Sequence, residues 1–158
     1  MPEILLLLAS PLHRYEGRPK DGAVPFAGRE TFDEITIKKG LGVVGDRFFG
    51  HRAHIQESVT IMAVESLEGL DADPARTRRN IITRGIDVDS LRGQEFSLDS
   101  GSGPVWFRAH RPANPCAWMD EQLAPGAMKA LRNHGGMRCE PLTDGVLTTG
   151  DVTFALRS

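Results

Sequence analysis

Short apolar runs separated by turn residues make up most of this chain. Residues 5–9 are apolar on both faces and predict a buried first strand, whereas residues 32–37 alternate and predict a half-exposed strand. Further strands are expected at 59–63, 80–83, 94–98, 105–109, 137–142, 146–148 and 152–156. Short helices are expected at 64–70, 117–122 and 127–134.

Turn signals recur at short intervals, and no long helix alternates with the strands. The 17 glycines and 10 prolines among 158 residues suit many short strands joined by turns. We therefore predict one mainly β domain over residues 1–158, a closed or nearly closed β-barrel with a few short helices. Its core is expected to contain Leu5, Leu7, Ile35, Ile37, Val59, Ile61, Ile81, Phe96, Val105, Phe107 and Phe154.

The net charge, the N-terminal apolar run and the cysteine count indicate which partners and which compartment to expect. The formal net charge of -2 gives no electrostatic reason to expect a nucleic acid or a membrane. The first apolar run follows Glu3 rather than a basic segment and is ended by Pro11, unlike a signal peptide or a membrane span. Two cysteines, Cys116 and Cys139, are too few for a secreted disulfide framework. We expect a cytoplasmic protein.

Cys116 is the strongest candidate for chemistry. It follows a predicted strand, adjoins Pro115, and lies near His110 and Arg111. The thiolate is the nucleophilic form of cysteine, and nearby positive charge favours it. The alternative is an inert structural thiol, because free cysteine is among the most buried residue types. A Cys116–His110 hydrolase pair is also compatible with the residue types, but their spacing does not distinguish it.

The glycine-rich segment 42–51 places Asp46 beside Arg47. This segment predicts either one wall of an anion pocket or a tight turn capped by Asp46. His51 and His54 have His-x-x-His spacing and, with Asp46 and Cys116, are metal ligands by type. No second pair stands at ligand spacing, so a structural zinc site is not expected.

Two further segments carry arginine or cysteine. Arginines at 76, 78, 79 and 84 indicate either phosphate binding through guanidinium forks or an exposed turn paired with Asp71, Asp73, Asp87 and Asp89. A nucleic-acid partner is not expected there, because no aromatic residues are interleaved with the arginines. Cys139 alternates with Arg138 and Glu140, which predicts an inward, structural thiol.

Several motifs in order resemble one family. They are Gly45-Asp46-Arg47, Arg79-Asn80-Ile81 with Gly85, Arg111 with Pro115-Cys116, Gly136-Met137-Arg138, Gly145 and Gly150-Asp151. Together they resemble the MOSC domain, which occurs at the C-terminus of molybdenum cofactor sulfurases and as stand-alone bacterial proteins. The resemblance covers almost the whole chain and implies a mainly β barrel similar to the pyruvate kinase barrel domain.

The same resemblance implies a function. Cys116 matches the family cysteine, which is proposed to carry persulfide sulfur or to ligate molybdenum. The implied cofactor is the molybdenum cofactor, molybdopterin, whose phosphate gives the matching polar residues a role; these are Arg47, Arg79, Asn80, Arg111 and Arg138. Pyridoxal phosphate is not expected, since the aminotransferase-like domain of full-length sulfurases is absent. The implied partners are a cysteine desulfurase or a molybdoenzyme, as sulfur donor or acceptor.

Two alternatives stay open at this point. One is a molybdenum-dependent reductase of N-hydroxylated compounds, and the other is a non-catalytic ligand-binding module in which Cys116 is inert. Val44 stands where many family members have an acid, and Phe48 where many have histidine. These departures count against a proton-transfer role for that loop.

Overall fold

The computed structural model describes residues 1–157 and is mainly β. Its strands are β1 (Glu3–Leu8), β2 (Thr31–Phe32), β3 (Glu34–Lys38), β4 (Gly42–Val43), β5 (Val59–Ala63), β6 (Ile81–Arg84), β7 (Glu95–Asp99), β8 (Pro104–Pro112), β9 (Met137–Pro141), β10 (Gly145–Thr148), β11 (Gly150–Asp151) and β12 (Thr153–Leu156). Two short α-helices, α1 (Trp118–Gln122) and α2 (Ala127–Ala130), precede β9. Short 3-10 segments lie at Pro19–Asp21, Arg52–Glu57, Val64–Leu67, Pro74–Thr77 and Val88–Ser90.

The strands form one large sheet and one small sheet. The large sheet has the order β11-β1-β6-β5-β9-β8-β7-β12, with β2 also paired to β1. Its pairs are antiparallel except β5 and β6, which are parallel and are joined by a connection containing two 3-10 turns. The small sheet has the order β10-β3-β4. The predicted mainly β class with short helices is confirmed.

Closure of the sheet into a barrel stays a prediction. The two end strands of the large sheet, β11 and β12, are separated only by Val152, so one segment borders both β1 and β7. The Val152 side chain is buried and its N–H donates to the Pro2 carbonyl oxygen at 3.0 Å. Among residues 1–157, the strand pairings still form an open path rather than a ring.

Both faces of the large sheet are covered by apolar side chains. On β5, Val59 and Ile61 point into the main core, which also receives the inward residues of the small sheet. Met62 points the other way, into a second cluster that includes Met119 and Leu131 near α1 and α2. This two-sided burial explains why β5 is buried along its whole length. It also anchors the α1 segment, which follows Cys116.

The predicted core is correct except at Leu5. Phe154 packs against the main core while partly buried, and the remaining predicted residues apart from Leu5 are buried within it. Leu5 is partly buried against the second cluster instead. The register of β1 against β6 shifts between Ile4 and Leu6, so Leu5 occupies an irregularity and the inward positions become Ile4 and Leu7. A strict two-residue alternation cannot anticipate such a shift.

Among the described residues, none of the helices combines the length and apolarity that crossing a bilayer requires.

Candidate functional site

One cleft gathers residues from distant parts of the chain. Its volume is about 320 Å³, within the range of small-molecule sites. Arg47 reaches it from the loop after β4, Arg79 from just before β6, Cys116 from the turn before α1, and Arg138 from β9. The other lining residues are His13, Arg14, Tyr15, Phe48, Thr60, Thr77, Arg78, Asn114 and Met119.

Asp46 fixes the loop that carries Arg47. Its buried carboxylate accepts the Ser10 N–H at 3.0 Å and lies 3.2 Å from Nη1 of Arg47. The Arg47 guanidinium also lies over the Phe48 ring, 4.8 Å from its centroid. Nε of Arg47 is buried and has no hydrogen-bond partner among the described residues. The loop is therefore both a turn capped by Asp46 and a wall of the cleft.

Arg79 is held by backbone carbonyls instead of carboxylates. Its Nε donates to the Gly135 oxygen at 3.0 Å, and its Nη2 donates to the Ala113 oxygen at 3.2 Å. Burial, followed by repulsion from Arg138, lowers the pKa of Arg79 to about 10. The guanidinium therefore stays cationic at neutral pH. Cys116 has the opposite effect on Arg79, because the negative charge of its thiolate raises the pKa of the guanidinium.

The cleft carries an excess of positive charge. Within residues 1–157, no carboxylate forms an ion pair with Arg79 or Arg138. By contrast, the neighbouring Arg14 and Arg78 share one carboxylate partner, Glu30, at 2.8 and 2.7 Å. Uncompensated guanidinium groups that share a cleft favour an anionic ligand.

The two cysteines occupy opposite environments. Cys116 is exposed at the cleft, whereas Cys139 is fully buried on β9 in the main core. Burial raises the pKa of the Cys139 thiol far above its ordinary range. Cys139 therefore has the inward placement that its alternation with Arg138 and Glu140 predicted.

Aromatic rings shape another wall of the cleft. Tyr15 stacks on Trp118 with ring centroids 4.9 Å apart and planes within 8°, and its hydroxyl donates to the Arg76 oxygen at 2.6 Å. His13 contacts Phe48 edge-on at 4.9 Å. Burial and the nearby Arg47 charge lower the pKa of His13, so its ring is neutral at neutral pH. Such rings offer a flat apolar surface beside the cationic groups.

Two of the sequence-predicted ligand residues are outside the cleft lining. Asn80 is buried among β1, β5 and β6. It accepts the Thr60 N–H at 2.9 Å and donates to the Leu8 oxygen at 3.0 Å. Arg111 is exposed on β8 and donates to Glu57 Oε2 at 2.9 Å. Asn80 supports the cleft indirectly, through Thr60, while Arg111 points to a separate surface.

The position of Asn80 gives a stability prediction. Asn80→Ala should lower the free energy of unfolding by about 2–3 kcal/mol, because it leaves buried polar groups of β1 and β5 without partners. Asn114→Ala, which alters an exposed asparagine, is the matched control and should have little effect. Urea unfolding of both variants measures the difference. Equal stability of the Asn80 variant and wild type would contradict this role.

His51, His54 and His110 do not line the cleft that contains Cys116. Nε2 of His110 lies 2.9 Å from Glu140 Oε1, and His110 does not line the cleft, so the hydrolase pair is not formed. His51 and His54 have ring centroids 4.8 Å apart. Within residues 1–157, no three His, Cys, Asp or Glu side chains are arranged to hold a metal ion.

The arginines that are clustered in the sequence each bind a different partner in the structure. Arg84 pairs with Glu3 at 2.7 Å and Arg78 pairs with Glu30, whereas Arg76 donates to the Gln122 oxygen. None of these arginines forms the expected ion pair with aspartates 71, 73, 87 or 89. The chain turns sharply at Arg78, which has a φ of 63°, so successive arginines point in different directions.

Sequence reasoning missed several cleft residues, chiefly His13, Tyr15 and Thr60. The loop over residues 13–26 carried only turn signals. A histidine and a tyrosine within such a loop were the available hint of a binding wall. Thr60 lies on a fully buried strand, where pattern alone indicates core.

Comparison with known proteins supports the fold. No protein-family model and no curated protein matches the sequence. Among solved structures, the YUAD protein from Bacillus subtilis is similar, with a TM-score of 0.64 and 17% identity, covering 98% of this chain and 95% of that one. YiiM from Escherichia coli has a TM-score of 0.58 and 16% identity over 99% of this chain and 70% of its own. A hypothetical protein has a TM-score of 0.56 and 15% identity, covering 99% and 69%.

At these identities the likeness is one of fold. It shows that the chain shares the overall fold of the YUAD protein and of YiiM.

Proposed function

We propose that this protein handles sulfur or the molybdenum cofactor in the cytoplasm, with Cys116 as persulfide carrier or molybdenum ligand. The observation that carries the proposal is the exposed Cys116 thiol in the same cleft as two guanidinium groups without carboxylate partners, Arg79 and Arg138. The resemblance of the sequence motifs to the MOSC domain also supports this chemistry.

The residues of the cleft fit the chemistry of the molybdenum cofactor. Arg79 and Arg138 would hold its phosphate, and Arg47 has a buried Nε without a partner. The thiolate of Cys116 is a soft ligand of the kind that suits metal–sulfur chemistry. The bound cofactor would supply a redox-active metal and a sulfur-accepting centre, while the protein supplies binding, orientation and charge.

Sulfur transfer needs only a thiolate and a persulfide donor. The Cys116 thiolate attacks the terminal sulfur of a donor persulfide, a new S–S bond forms on Cys116, and the donor leaves as its thiolate. No net oxidant is consumed, and the proton released from Cys116 passes to the donor thiolate or to solvent. The Arg79 guanidinium lines the same cleft as the Cys116 sulfur. A cysteine desulfurase is the class of donor proposed, and a molybdoenzyme the class of acceptor.

The experiment compares wild type, Cys116→Ser and Cys139→Ser after expression in a molybdenum-replete host. Incubation with a persulfide-loaded cysteine desulfurase should add one sulfur atom to Cys116, detected by intact-mass and peptide mass spectrometry. Cys139→Ser should load like wild type, since its thiol is buried. Cys116→Ser should not load.

Metal and pterin analysis of the same samples separates the alternatives. Molybdenum and pterin fluorescence that co-purify with wild type indicate cofactor binding and open the test of N-hydroxylated substrates. Persulfide loading without either indicates a sulfur carrier. If wild type acquires no sulfur, molybdenum or pterin, Cys116 is inert and the cleft belongs to a non-catalytic binding module.

A further inference from the structure

One of the backbone carbonyls that hold Arg79 belongs to the peptide between Gly135 and Gly136. Its Nε donates to the carbonyl oxygen of Gly135, and the N–H of that same peptide belongs to Gly136. A trans peptide is planar, with its C=O and N–H pointing in opposite directions. Whatever binds the Gly136 N–H therefore helps to set the direction of the Gly135 carbonyl, which is one of those that hold Arg79.

Asp89 is the group that binds this N–H. Its Oδ1 accepts from Gly136 at 3.0 Å, and its Oδ2 accepts from Oγ of Ser66 at 3.4 Å. Asp89 is absent from the lining of the cleft and instead lines a second cavity of about 350 Å³. It is thus connected to the cleft through the backbone rather than by direct contact with a ligand.

The peptide between Gly135 and Gly136 has no side chain on either side. Gly136 has a φ of 91°, and a Cβ at position 135 would lie 2.1 Å from the Ala113 oxygen. Glycine is required here, and glycine is also the residue that least resists rotation of its peptide. Hydrogen bonds must then provide the orientation. The charge of Asp89 also polarises the peptide and strengthens its carbonyl as an acceptor.

We propose that Asp89 is a positioning residue of the anion cleft. By accepting the Gly136 N–H, it turns the Gly135 carbonyl toward Arg79 and keeps that guanidinium aimed at a ligand beside Cys116. The proposal rests on the proposed anion-binding function. It adds a residue that influences the affinity for the anion without contacting it.

Two physical effects predict opposite signs for a variant of Asp89. Removing a carboxylate near a cationic cleft should tighten anion binding through space. Losing the hydrogen bond that orients the peptide should weaken it. A positioning role is therefore distinguishable from a simple charge effect by the direction of the change.

Inorganic phosphate titrated by calorimetry is the probe. We expect Asp89→Ala to weaken phosphate binding about tenfold, the scale of one lost hydrogen bond to a charged network. Asp89→Asn should stay close to wild type, because its Oδ1 can still accept the Gly136 N–H. Ser66→Ala, which removes the contact to the other carboxylate oxygen, is the matched control and should bind phosphate as wild type does.

The Arg79→Ala background makes the assignment specific. Adding Asp89→Ala to Arg79→Ala should cause no further loss, since Asp89 acts through Arg79. If Asp89→Ala does not fold, Asp89→Glu keeps the charge, misplaces the oxygen and should still weaken phosphate binding.

The outcomes separate the two proposals. Wild-type affinity or tighter binding in Asp89→Ala, or an unchanged affinity in Asp89→Glu, overturns the positioning role while leaving anion binding intact. An additional loss in the double variant overturns it too. Absence of phosphate binding by wild type overturns the anion site itself, and the role of Asp89 falls with it.

Discussion

Cys116 should react with iodoacetamide at least about a hundredfold faster than Cys139 in the folded protein. Reactivity follows thiolate content and access. Cys116 is exposed beside the Arg79 charge, whereas Cys139 is buried in the main core with a strongly raised pKa. Time-resolved alkylation, followed by peptide mass spectrometry, reports both cysteines in one sample.

The pH dependence of the same reaction adds a second criterion. Alkylation of Cys116 should rise with pH as the thiolate forms, while labelling of Cys139 should follow only the opening of the core. Unfolding in urea is the control, because it should bring the two rates together. Faster labelling of Cys139 than of Cys116 in the folded state would remove Cys116 from the centre of the proposed function.

Local patterning was enough to locate most strands. The predicted strand at 59–63 coincides with β5, because a short apolar run bounded by polar and helical signals leaves little choice. Strand β8 extends to Pro112, beyond its predicted end at 109, because its outer half pairs with β9 across a register shift. Helix α2 ends at Ala130 rather than at 134, since the remaining residues form turns leading into Gly135.

The site was harder to predict because it is tertiary. Nothing in the spacing of Arg47, Arg79 and Arg138 states that they meet, and their convergence was expected only from the motif order. Asn80 and Arg111 belong to the same motifs, yet one ties three strands together and the other pairs with Glu57. A motif marks a residue as important without saying whether it contacts a ligand or supports the residue that does.

The contribution of Asp89 illustrates the same limit. In the sequence, Asp89 is one of several aspartates near the arginines, and its position predicts an ion pair with one of them at the surface. In the structure it binds a backbone N–H 47 positions along the chain. Patterns of charge or hydrophobicity cannot predict that contact, because its donor is a backbone N–H, which leaves no signal in the sequence.

Arg79→Ala should weaken binding of inorganic phosphate by about 1.5–3 kcal/mol, the range for a hydrogen bond to a charged group. Arg79 has no carboxylate partner within the described residues, so its charge is available to a ligand. Arg79→Lys should recover only part of the affinity, because an ammonium cannot hold both carbonyls and a phosphate in a planar fork. Titration calorimetry at low ionic strength measures all three proteins.

The matched control for that loss is Arg76→Ala. Arg76 lies three residues away, is exposed, donates to the Gln122 oxygen and does not line the cleft. Its removal changes the net charge by the same amount, so a small effect isolates the position of the Arg79 guanidinium from the total charge. Equal losses in the two variants would mean that phosphate senses only the general field of the protein, and that the cleft beside Cys116 is not its binding site.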